Sequence, residues 1–251
     1  MKNKQVRITR LEIGSTEKPP FVASSAEEAL APYLCDGMSI AVGGFGLVGT
    51  PEYLLNFIHA SGVKNLTIIS NNAGTVGKAL GLVLEAGQIS HVVASYPGNH
   101  PEFVRQYFEG HLTCDFTPQG TLAEKMRAGG AGIPAFYTPT GVGTKVAEGK
   151  ETKNIGGRDC ILEHSITVDL SVVRAEIADE SGNVMFRKTA RNFNPDVASC
   201  GKVCVVEVRE IVPAGSLDPD HIHLPGIYVD HLLEVPDMVK HVEIPTFRNP
   251  A

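Results

Sequence analysis

One stretch of the chain combines an apolar run, a cluster of glycines and the start of a helix: Met38-Ser-Ile-Ala-Val-Gly-Gly-Phe-Gly-Leu-Val-Gly-Thr-Pro-Glu52. Its first five residues form a mostly apolar, partly β-branched run, which is typical of a buried strand. The glycines that follow let the backbone turn sharply and let another molecule approach it closely. Thr50 is placed to cap a helix, with Pro51 at the first helical position and Glu52 in the first turn. A strand, a glycine turn and a helix N-terminus together predict a site for a small anion, or for a group that develops negative charge.

A dinucleotide is the first ligand to consider, because residues 44–49 match the spacing Gly-x-Gly-x-x-Gly. Two features count against it. The second predicted strand, 66–70, runs into Asn71 and Asn72, so no carboxylate is placed to hold a ribose. The helix also begins after the third glycine, whereas the fingerprint places that glycine within the helix. A purely structural turn needs only one or two glycines, so the cluster favours a binding site of another kind.

Composition excludes several classes of function. With 251 residues and 43% hydrophobic residues, the chain can form one large domain with a sizeable core. The net charge of -6 and the lack of a basic cluster give no support for a nucleic-acid partner. No apolar run is long enough to span a membrane, and the N-terminus lacks the apolar core of a signal peptide. The five cysteines are odd in number and scattered, which indicates reduced thiols in a cytoplasmic protein. Cys200 and Cys204 suit neither a redox motif nor a zinc knuckle, and we expect them to be small buried side chains.

Hydrophobic periodicity predicts helices that alternate with strands. Such alternation indicates an α/β fold with an open, mostly parallel sheet and helices on both faces. Ligands of these sheets bind beyond the carboxyl ends of the strands, where the loops at Gly43, Asn71 and Gln119 are expected to converge. Ser25 and Glu28 form a capping box at the first helix. The predicted helices are 25–33, 51–60, 76–85, 101–108 and 121–127, and the predicted strands are 38–42, 66–70, 91–95, 112–116, 166–177, 184–187 and 203–208.

The remaining segments suggest one domain with two appendages. Residues 129–144 are rich in glycine but apolar, and we expect an ordered loop that packs or binds. Residues 147–159 are polar and predict a surface turn. The proline-rich stretch 213–236 predicts an irregular wrap with little regular structure. The predicted organisation is an N-terminal arm at 1–22, the main domain at 23–240 and a tail at 241–251.

Several motifs recur in an order that points to one family. They are Gly43-Gly-Phe-Gly-Leu47 with Pro51-Glu52, Ser70-Asn-Asn-Ala-Gly74, Thr117-Pro-Gln-Gly-Thr-Leu-Ala-Glu124, Arg127-Ala-Gly-Gly-Ala-Gly132, Ala135-Phe-Tyr-Thr-Pro-Thr-Gly141, Thr189-Ala-Arg-Asn-Phe-Asn194 and Ile222-His-Leu-Pro-Gly-Ile-Tyr228. Through them the chain resembles the α (or A) subunit of the family I CoA-transferases, most closely the 3-oxoacid type. The resemblance covers roughly residues 35 to 230.

This resemblance implies a Rossmann-like CoA-transferase fold, with a glycine-rich loop and a small β-rich C-terminal part. It implies a ping-pong transfer of CoA between an acyl-CoA, succinyl-CoA, and a small carboxylic acid, acetoacetate, as in ketone-body metabolism. The nucleophile is a glutamate in a Ser-Glu-Asn motif of a partner β subunit. Coenzyme A is a substrate, and no resident cofactor is expected. An α2β2 heterotetramer is the assembly that the family implies.

The same resemblance assigns roles to the polar loops. Asn71 and Gln119 donate hydrogen bonds to the oxyanion or to the substrate carboxylate, which a carboxamide can do without titrating. No acidic residue in these loops offers itself as a nucleophile except Glu52 and Glu124, and both are better explained as charges of a helix first turn or an exposed face. The residues expected to form the substrate loop are Gly43, Gly44, Phe45, Gly46, Gly49, Asn72 and Gly74.

Other functions stay open at this point. An acyl-CoA hydrolase or a sugar-phosphate isomerase of the same fold is one alternative, and a non-catalytic module that binds a small acid is another. We expect no metal, because no carboxylate cluster accompanies His221-x-His223 at a convincing spacing. Arg187-Lys188 and Arg191 fit either an anion contact or a structural salt link. Asn192 and Asn194 have no role that the sequence assigns.

Overall fold

The structure is a computed structural model that describes residues 20–97 and 100–242. Its β-strands are β1 (Phe21–Ala23), β2 (Ser39–Val42), β3 (Leu66–Ser70), β4 (Ile89–Ala94), β5 (Thr113–Phe116), β6 (Ala135–Thr138), β7 (Thr152–Ile155), β8 (Arg158–His164), β9 (Val168–Asp179), β10 (Val184–Met185), β11 (Gly201–Val212) and β12 (His231–Glu234). Its α-helices are α1 (Ala26–Leu30), α2 (Glu52–Ser61), α3 (Leu80–Glu85), α4 (Pro101–Phe108), α5 (Gln119–Gly130) and α6 (Asn194–Cys200).

The main sheet has nine strands, eight of them parallel in the order β1-β12-β11-β9-β2-β3-β4-β5. The ninth, β10, returns antiparallel along β9 after a short turn. The expectation of an open, mostly parallel α/β sheet is therefore confirmed. The central position of β2, between β3 and β9, places the glycine segment that follows it at the middle of the carboxyl edge.

Both faces of the sheet are covered. Alternate residues of a strand point to opposite faces, and in β2 Ile40 belongs to one buried cluster whereas Ala41 belongs to the other. The first cluster includes Leu54 of α2 and Leu84 of α3, and the second includes Leu122 of α5. Helices on both faces were predicted, and this is confirmed. Within the described residues, no helix combines the length and apolarity needed to cross a membrane.

A second, three-stranded antiparallel sheet corrects two predictions. It has the order β6-β8-β7 and contains parts of the segments predicted as an ordered loop (129–144) and a surface turn (147–159). The hairpin between β7 and β8 turns at Gly156 and Gly157, both with positive φ. Every residue of β7 is exposed, so this strand lacks the alternating apolar face on which the prediction depended.

Several helix ends differ from prediction. The helix expected from residue 76 begins only at Leu80, because residues 75–78 close a hydrogen-bonded turn first. The helix α1 ends at Leu30, although the Ser25 cap is confirmed by its acceptance of the Glu28 N–H. The expected Thr50 cap is wrong: the Thr50 hydroxyl donates to the Gly46 carbonyl at 2.9 Å, and Pro51 occupies the cap position.

The C-terminal stretch is more regular than expected. Helix α6 was not predicted, and β12, inside the supposed irregular wrap, inserts between β1 and β11. The end of the predicted arm, Phe21 and Val22, belongs to the edge strand β1. Residues 1–19 of the arm and residues 243–251 of the tail lie outside the described residues, so the domain division stays a prediction. Cys200 and Cys204 are buried, as expected.

Candidate active site

The predicted loops meet at the carboxyl edge of the sheet. Asn71 directly follows β3, and its Oδ1 accepts a hydrogen bond from the Gly46 N–H of the glycine loop at 3.1 Å. With Oδ1 used as an acceptor, the Nδ2 group is the donor that the Asn71 side chain can offer to another molecule. Asn71 is buried. The loops after β2 and β3 are thus joined by an amide whose orientation is set by a backbone group.

Ser95, the residue after β4, joins Asn71 to Gln119. Its hydroxyl lies 2.8 Å from Gln119 Oε1 and 3.0 Å from the Asn71 carbonyl oxygen, and donates its single proton between them. Gln119 begins α5, and its Nε2 is buried without a hydrogen-bond partner among the described residues. Because the oxygen of this carboxamide is held, the nitrogen is oriented as an unused donor. Sequence reasoning did not single out Ser95, although its place after a strand matches that of Asn71.

The glycine loop is a tight turn closed between Phe45 and Val48, whose backbone groups hydrogen bond in both directions at 3.0 and 3.1 Å. Gly44 has a φ of 107°, and a Cβ there would lie 2.3 Å from Thr50 Oγ1. Only glycine satisfies both conditions at this position. The loop therefore packs directly against the start of α2.

The segment that follows β10 holds this loop through hydrogen bonds to its carbonyl groups. The Asn192 Nδ2 group donates to the Val48 carbonyl at 2.9 Å, and the Asn194 Nδ2 group donates to the Gly49 carbonyl at 3.0 Å. The intervening Phe193 ring stacks on Phe45, with centroids 6.1 Å apart. Neither asparagine had a role assigned from sequence, because both contacts join residues that are distant in the chain.

A small cavity opens between the loops after β2 and β3. Of the predicted substrate residues, Gly43, Gly46, Asn72 and Gly74 line it. Asn72 Oδ1 accepts the Gly74 N–H at 2.9 Å, which shapes the second of these loops. Gly44, Phe45 and Gly49 belong to the glycine loop without lining the cavity. Asn71 and Gln119 do not line it either, but Asn71 bonds to Gly46 of its wall, and Ser95 joins Asn71 to Gln119.

Below the loop lies a buried ionic cluster centred on Arg174 of β9. Its Nη1 is 3.7 Å from Glu52 Oε1, and its Nε is 3.9 Å from Glu207 Oε1. Glu207 accepts the Leu54 N–H at 3.0 Å. Burial raises the pKa of Glu207 to about 7, against the opposing effect of the Leu54 N–H and of Arg174.

The two acidic residues considered as alternative nucleophiles both have ion-pair or hydrogen-bond partners within this chain. Glu52 stays in the first turn of α2, as expected, but it is buried and also bonds His241. Glu124 is partly exposed and pairs with Arg127 three residues on. The Arg127 guanidinium holds the pKa of the Glu124 carboxyl below its usual value. Neither carboxylate hydrogen bonds to Asn71 or Gln119 among the described residues.

A groove of about 230 Å³ lies on the other side of the glycine loop. Arg187 and Lys188 line it together with Lys240 and His241. Within the described ranges, neither Arg187 nor Lys188 has a carboxylate oxygen within 4.0 Å, so a structural salt link is not seen for either. Lys240, by contrast, is paired with Glu176 at 3.2 Å.

The histidines considered as metal ligands have other contacts. His223 Nδ1 accepts the Phe186 N–H at 2.9 Å, and His221 lies 3.2 Å from Asp218. In the part of the chain that the structure describes, no three potential ligand side chains cluster as a metal site would need.

An open parallel sheet with amide and hydroxyl groups gathered at its carboxyl edge is typical of α/β proteins that bind their ligands at that edge. Residues 23–235 match the coenzyme A transferase family, and the chain belongs to that family. It is accordingly a CoA-transferase chain.

Curated relatives agree along nearly the whole chain. The A subunit of the succinyl-CoA:3-ketoacid coenzyme A transferase of Xanthomonas campestris is 52% identical, over 90% of this chain and 93% of its own. The protein of the same name from Helicobacter pylori is 51% identical over 91% and 98%. A protein from Bacillus subtilis, named as the probable A subunit of such an enzyme, is 54% identical over 88% and 93%. Because these relatives are named as one subunit of an enzyme, they imply a partner subunit.

Solved structures show the same fold at low identity. An acyl-CoA transferase from Escherichia coli O157:H7, in a thioester complex with CoA, matches with a TM-score of 0.77 and 19% identity. The match covers 92% of this chain but 50% of that chain, so this chain spans half the length of that protein. The glutaconate coenzyme A-transferase of Acidaminococcus fermentans matches with a TM-score of 0.73 and 19% identity, over 86% and 75%. A decarboxylase also shares the fold, with a TM-score of 0.71 and 24% identity over 86% and 84%. The fold by itself therefore does not determine the reaction.

Proposed function

We propose that this chain is the A subunit of a CoA-transferase that moves CoA from succinyl-CoA to a 3-oxo acid such as acetoacetate. The observation that carries the proposal is the buried Nε2 of Gln119, which has no partner among the described residues while Ser95 holds the oxygen of the same carboxamide. Relatives at 51–54% identity that are named for these substrates support the choice of acids.

The reaction proceeds by acyl transfer at a glutamate of the partner subunit. Its carboxylate attacks the thioester carbonyl, the carbonyl oxygen becomes negative, and collapse of the adduct releases CoA as thiolate and leaves a mixed anhydride. The thiolate then attacks the glutamyl carbonyl, releases succinate and forms a glutamyl-CoA thioester. Acetoacetate reverses these steps and leaves as acetoacetyl-CoA. Each step develops an oxyanion that needs hydrogen-bond donors.

Gln119 and Asn71 are suited to supply these donors. Two carboxylates crowded together would raise one pKa and weaken the nucleophile. An amide avoids this conflict because it donates a hydrogen bond without carrying charge. The polar groups that meet at this edge are a serine hydroxyl and two amides, and the nearby carboxylate of Glu52 is engaged by Arg174 and His241. The chain thus supplies neutral donors and leaves the nucleophile to its partner.

We further propose an α2β2 assembly, with coenzyme A as a substrate and no resident cofactor. A cytoplasmic location fits the absence of disulfide bonds among the described residues. Arg187 and Lys188, which lack a carboxylate partner among the described residues, leave the groove beside the loop open to an anionic group.

Mass spectrometry of the reconstituted complex tests the proposal. After incubation with succinyl-CoA and borohydride reduction, the modified glutamate is expected only in the partner chain. The two separate chains serve as controls, and neither should transfer CoA or become modified on its own. A modified glutamate in this chain would contradict the assignment of the nucleophile. Hydrolysis of acyl-CoA by this chain alone would instead favour a hydrolase.

A further inference from the structure

Three consecutive residues, 192–194, contact the glycine loop and have no place in the reaction described above. Asn194 is the most constrained of them, since none of its surface is exposed. Its Nδ2 donates to the carbonyls of Gly49 at 3.0 Å and of Ala190 at 2.9 Å, and its Oδ1 accepts the Arg174 N–H at 3.2 Å. Both donors and the acceptor of this amide are therefore used.

The glycine loop is shaped around this side chain. A Cβ on Gly43 would lie 2.0 Å from Asn194 Oδ1, and one on Gly49 would lie 2.9 Å from Asn194 Nδ2. The two glycines at the ends of the loop thus leave the space that the amide fills. This fit is a second observation, independent of the hydrogen bonds, that links Asn194 to the shape of the loop.

A short chain of contacts leads from Asn194 to the candidate oxyanion donors. Asn194 holds the Gly49 carbonyl, and the adjacent Thr50 donates through Oγ1 to the Gly46 carbonyl at 2.9 Å. The Gly46 N–H in turn donates to Asn71 Oδ1 at 3.1 Å. The orientation of the Asn71 amide therefore depends on where the glycine loop is held.

We propose that Asn194 is a positioning residue of the transferase site: through the Gly49 carbonyl it holds the glycine loop so that the Gly46 N–H orients the Asn71 amide. This inference rests on the proposed function for the role of Asn71. An amide is required because the site presents two carbonyl acceptors on one side and an N–H donor on the other. An ionised carboxylate of the same shape can only accept, so it repels both carbonyls.

In Asn194→Asp, the ability of this side chain to donate a hydrogen bond to the loop should depend on pH. Burial raises the pKa of a carboxyl group, so the introduced acid is protonated at low pH and ionised at high pH. Protonated, it donates one hydrogen bond to the loop; ionised, it donates none. The elements packed against α6 and the residues beside Asn194 carry further charged side chains, which include Arg174 and Glu176 on β9, Glu207 on β11, Glu124 and Arg127 on α5, Glu52 at the start of α2, and Lys188, Arg191 and Asp196 near Asn194 itself. All of these are unchanged in the variant.

The expected result is a ratio of variant to wild-type kcat that falls about 100-fold between pH 6 and pH 8.5, because a displacement of about 1 Å costs that much. The KM for succinyl-CoA should change little, since the interaction that is lost stabilises the transition state and not the bound substrate. Asn65→Asp is the matched control: Asn65 is exposed in the bend before β3, and its ratio should stay constant with pH.

Hydrogen exchange of residues 43–50 gives a readout that does not require activity. Once the intrinsic pH effect is removed, the Asn194→Asp loop should exchange faster at pH 8.5 than at pH 6, unlike the loop of Asn65→Asp. A kcat ratio and loop protection that are both independent of pH would overturn the inference, even if the melting temperature falls. A wild-type complex without CoA transfer would refute the proposed function, and the exchange data would still decide whether Asn194 holds the loop.

Discussion

Replacing Ser95 by alanine removes the hydroxyl that orients the Gln119 carboxamide. The hydroxyl has two acceptors within reach, Gln119 Oε1 at 2.8 Å and the Asn71 carbonyl at 3.0 Å, but only one proton to give. The loss is therefore one neutral hydrogen bond, about 0.5–1.5 kcal/mol. If the whole of it is felt in the transition state, kcat falls about 2- to 12-fold.

The magnitude separates this residue from the donor it orients. Gln119→Ala removes the donor itself, and loss of one oxyanion donor typically lowers kcat about 100- to 1000-fold. Because Ser95 acts largely through Gln119, the two effects should not add: Ser95→Ala should cost less in the Gln119→Ala background than in wild type. The assay is steady-state CoA transfer by the reconstituted complex for both single variants and the double variant.

Ser39→Ala is the matched control. Ser39 donates to Asp169 Oδ2 at 2.7 Å, at the opposite, amino end of β2. The variant should lower the free energy of unfolding without changing kcat. Additive losses in the double variant, or a Ser95→Ala loss as large as that of Gln119→Ala, would refute the reasoning.

Two further predictions concern stability. Gly43→Ala should lower the free energy of unfolding by about 1–3 kcal/mol, since its Cβ would lie 2.0 Å from Asn194 Oδ1. Urea titration measures this. Gly120→Ala is the control and should not destabilise the protein, because no atom lies within 4 Å of the Cβ that it adds. For Glu207, a folded-state pKa of about 7 lies above the unfolded value near 4.5, so ionisation penalises the folded state fully above pH 7 and not below pH 4.5. The difference in free energy of unfolding between Glu207→Gln and wild type should therefore shift by about 3 kcal/mol in favour of the variant between pH 4.5 and pH 8. A difference that does not change with pH would contradict this.

Local patterns were sufficient for the central part of the sheet. The apolar strand 66–70 and the helix 101–108 were predicted with the bounds that the structure gives. Parallel strands bring their carboxyl ends to one edge, so the meeting of the loops at Gly46, Asn71 and Gln119 followed from topology. The catalytic roles of Asn71 and Gln119 came from family resemblance, and they stay predictions.

The parts that the sequence did not reveal depend on exposure or on distant partners. Strand β7 is exposed throughout and gives no apolar periodicity. Strand β12 is four residues long and lies among prolines, and it becomes a strand only because β1 and β11 accept it on either side. The Asn194 contact with Gly49 and the Glu207 contact with Leu54 join residues 145 and 153 positions apart. No local pattern encodes such pairs.

The strand order also has a kinetic consequence. During synthesis β2 and its glycine loop emerge early, but the neighbouring strand β9 comes much later: Ser39 and Asp169, which bond across that pair, are 130 positions apart. The amide that holds the loop follows later still. Non-local pairing of this kind slows folding, because the intervening chain must be closed before the contact forms. We therefore expect the loop to take its final shape only after most of the chain has been made. Until then, the edge of β2 that β9 will cover stays unpaired and prone to association with other chains.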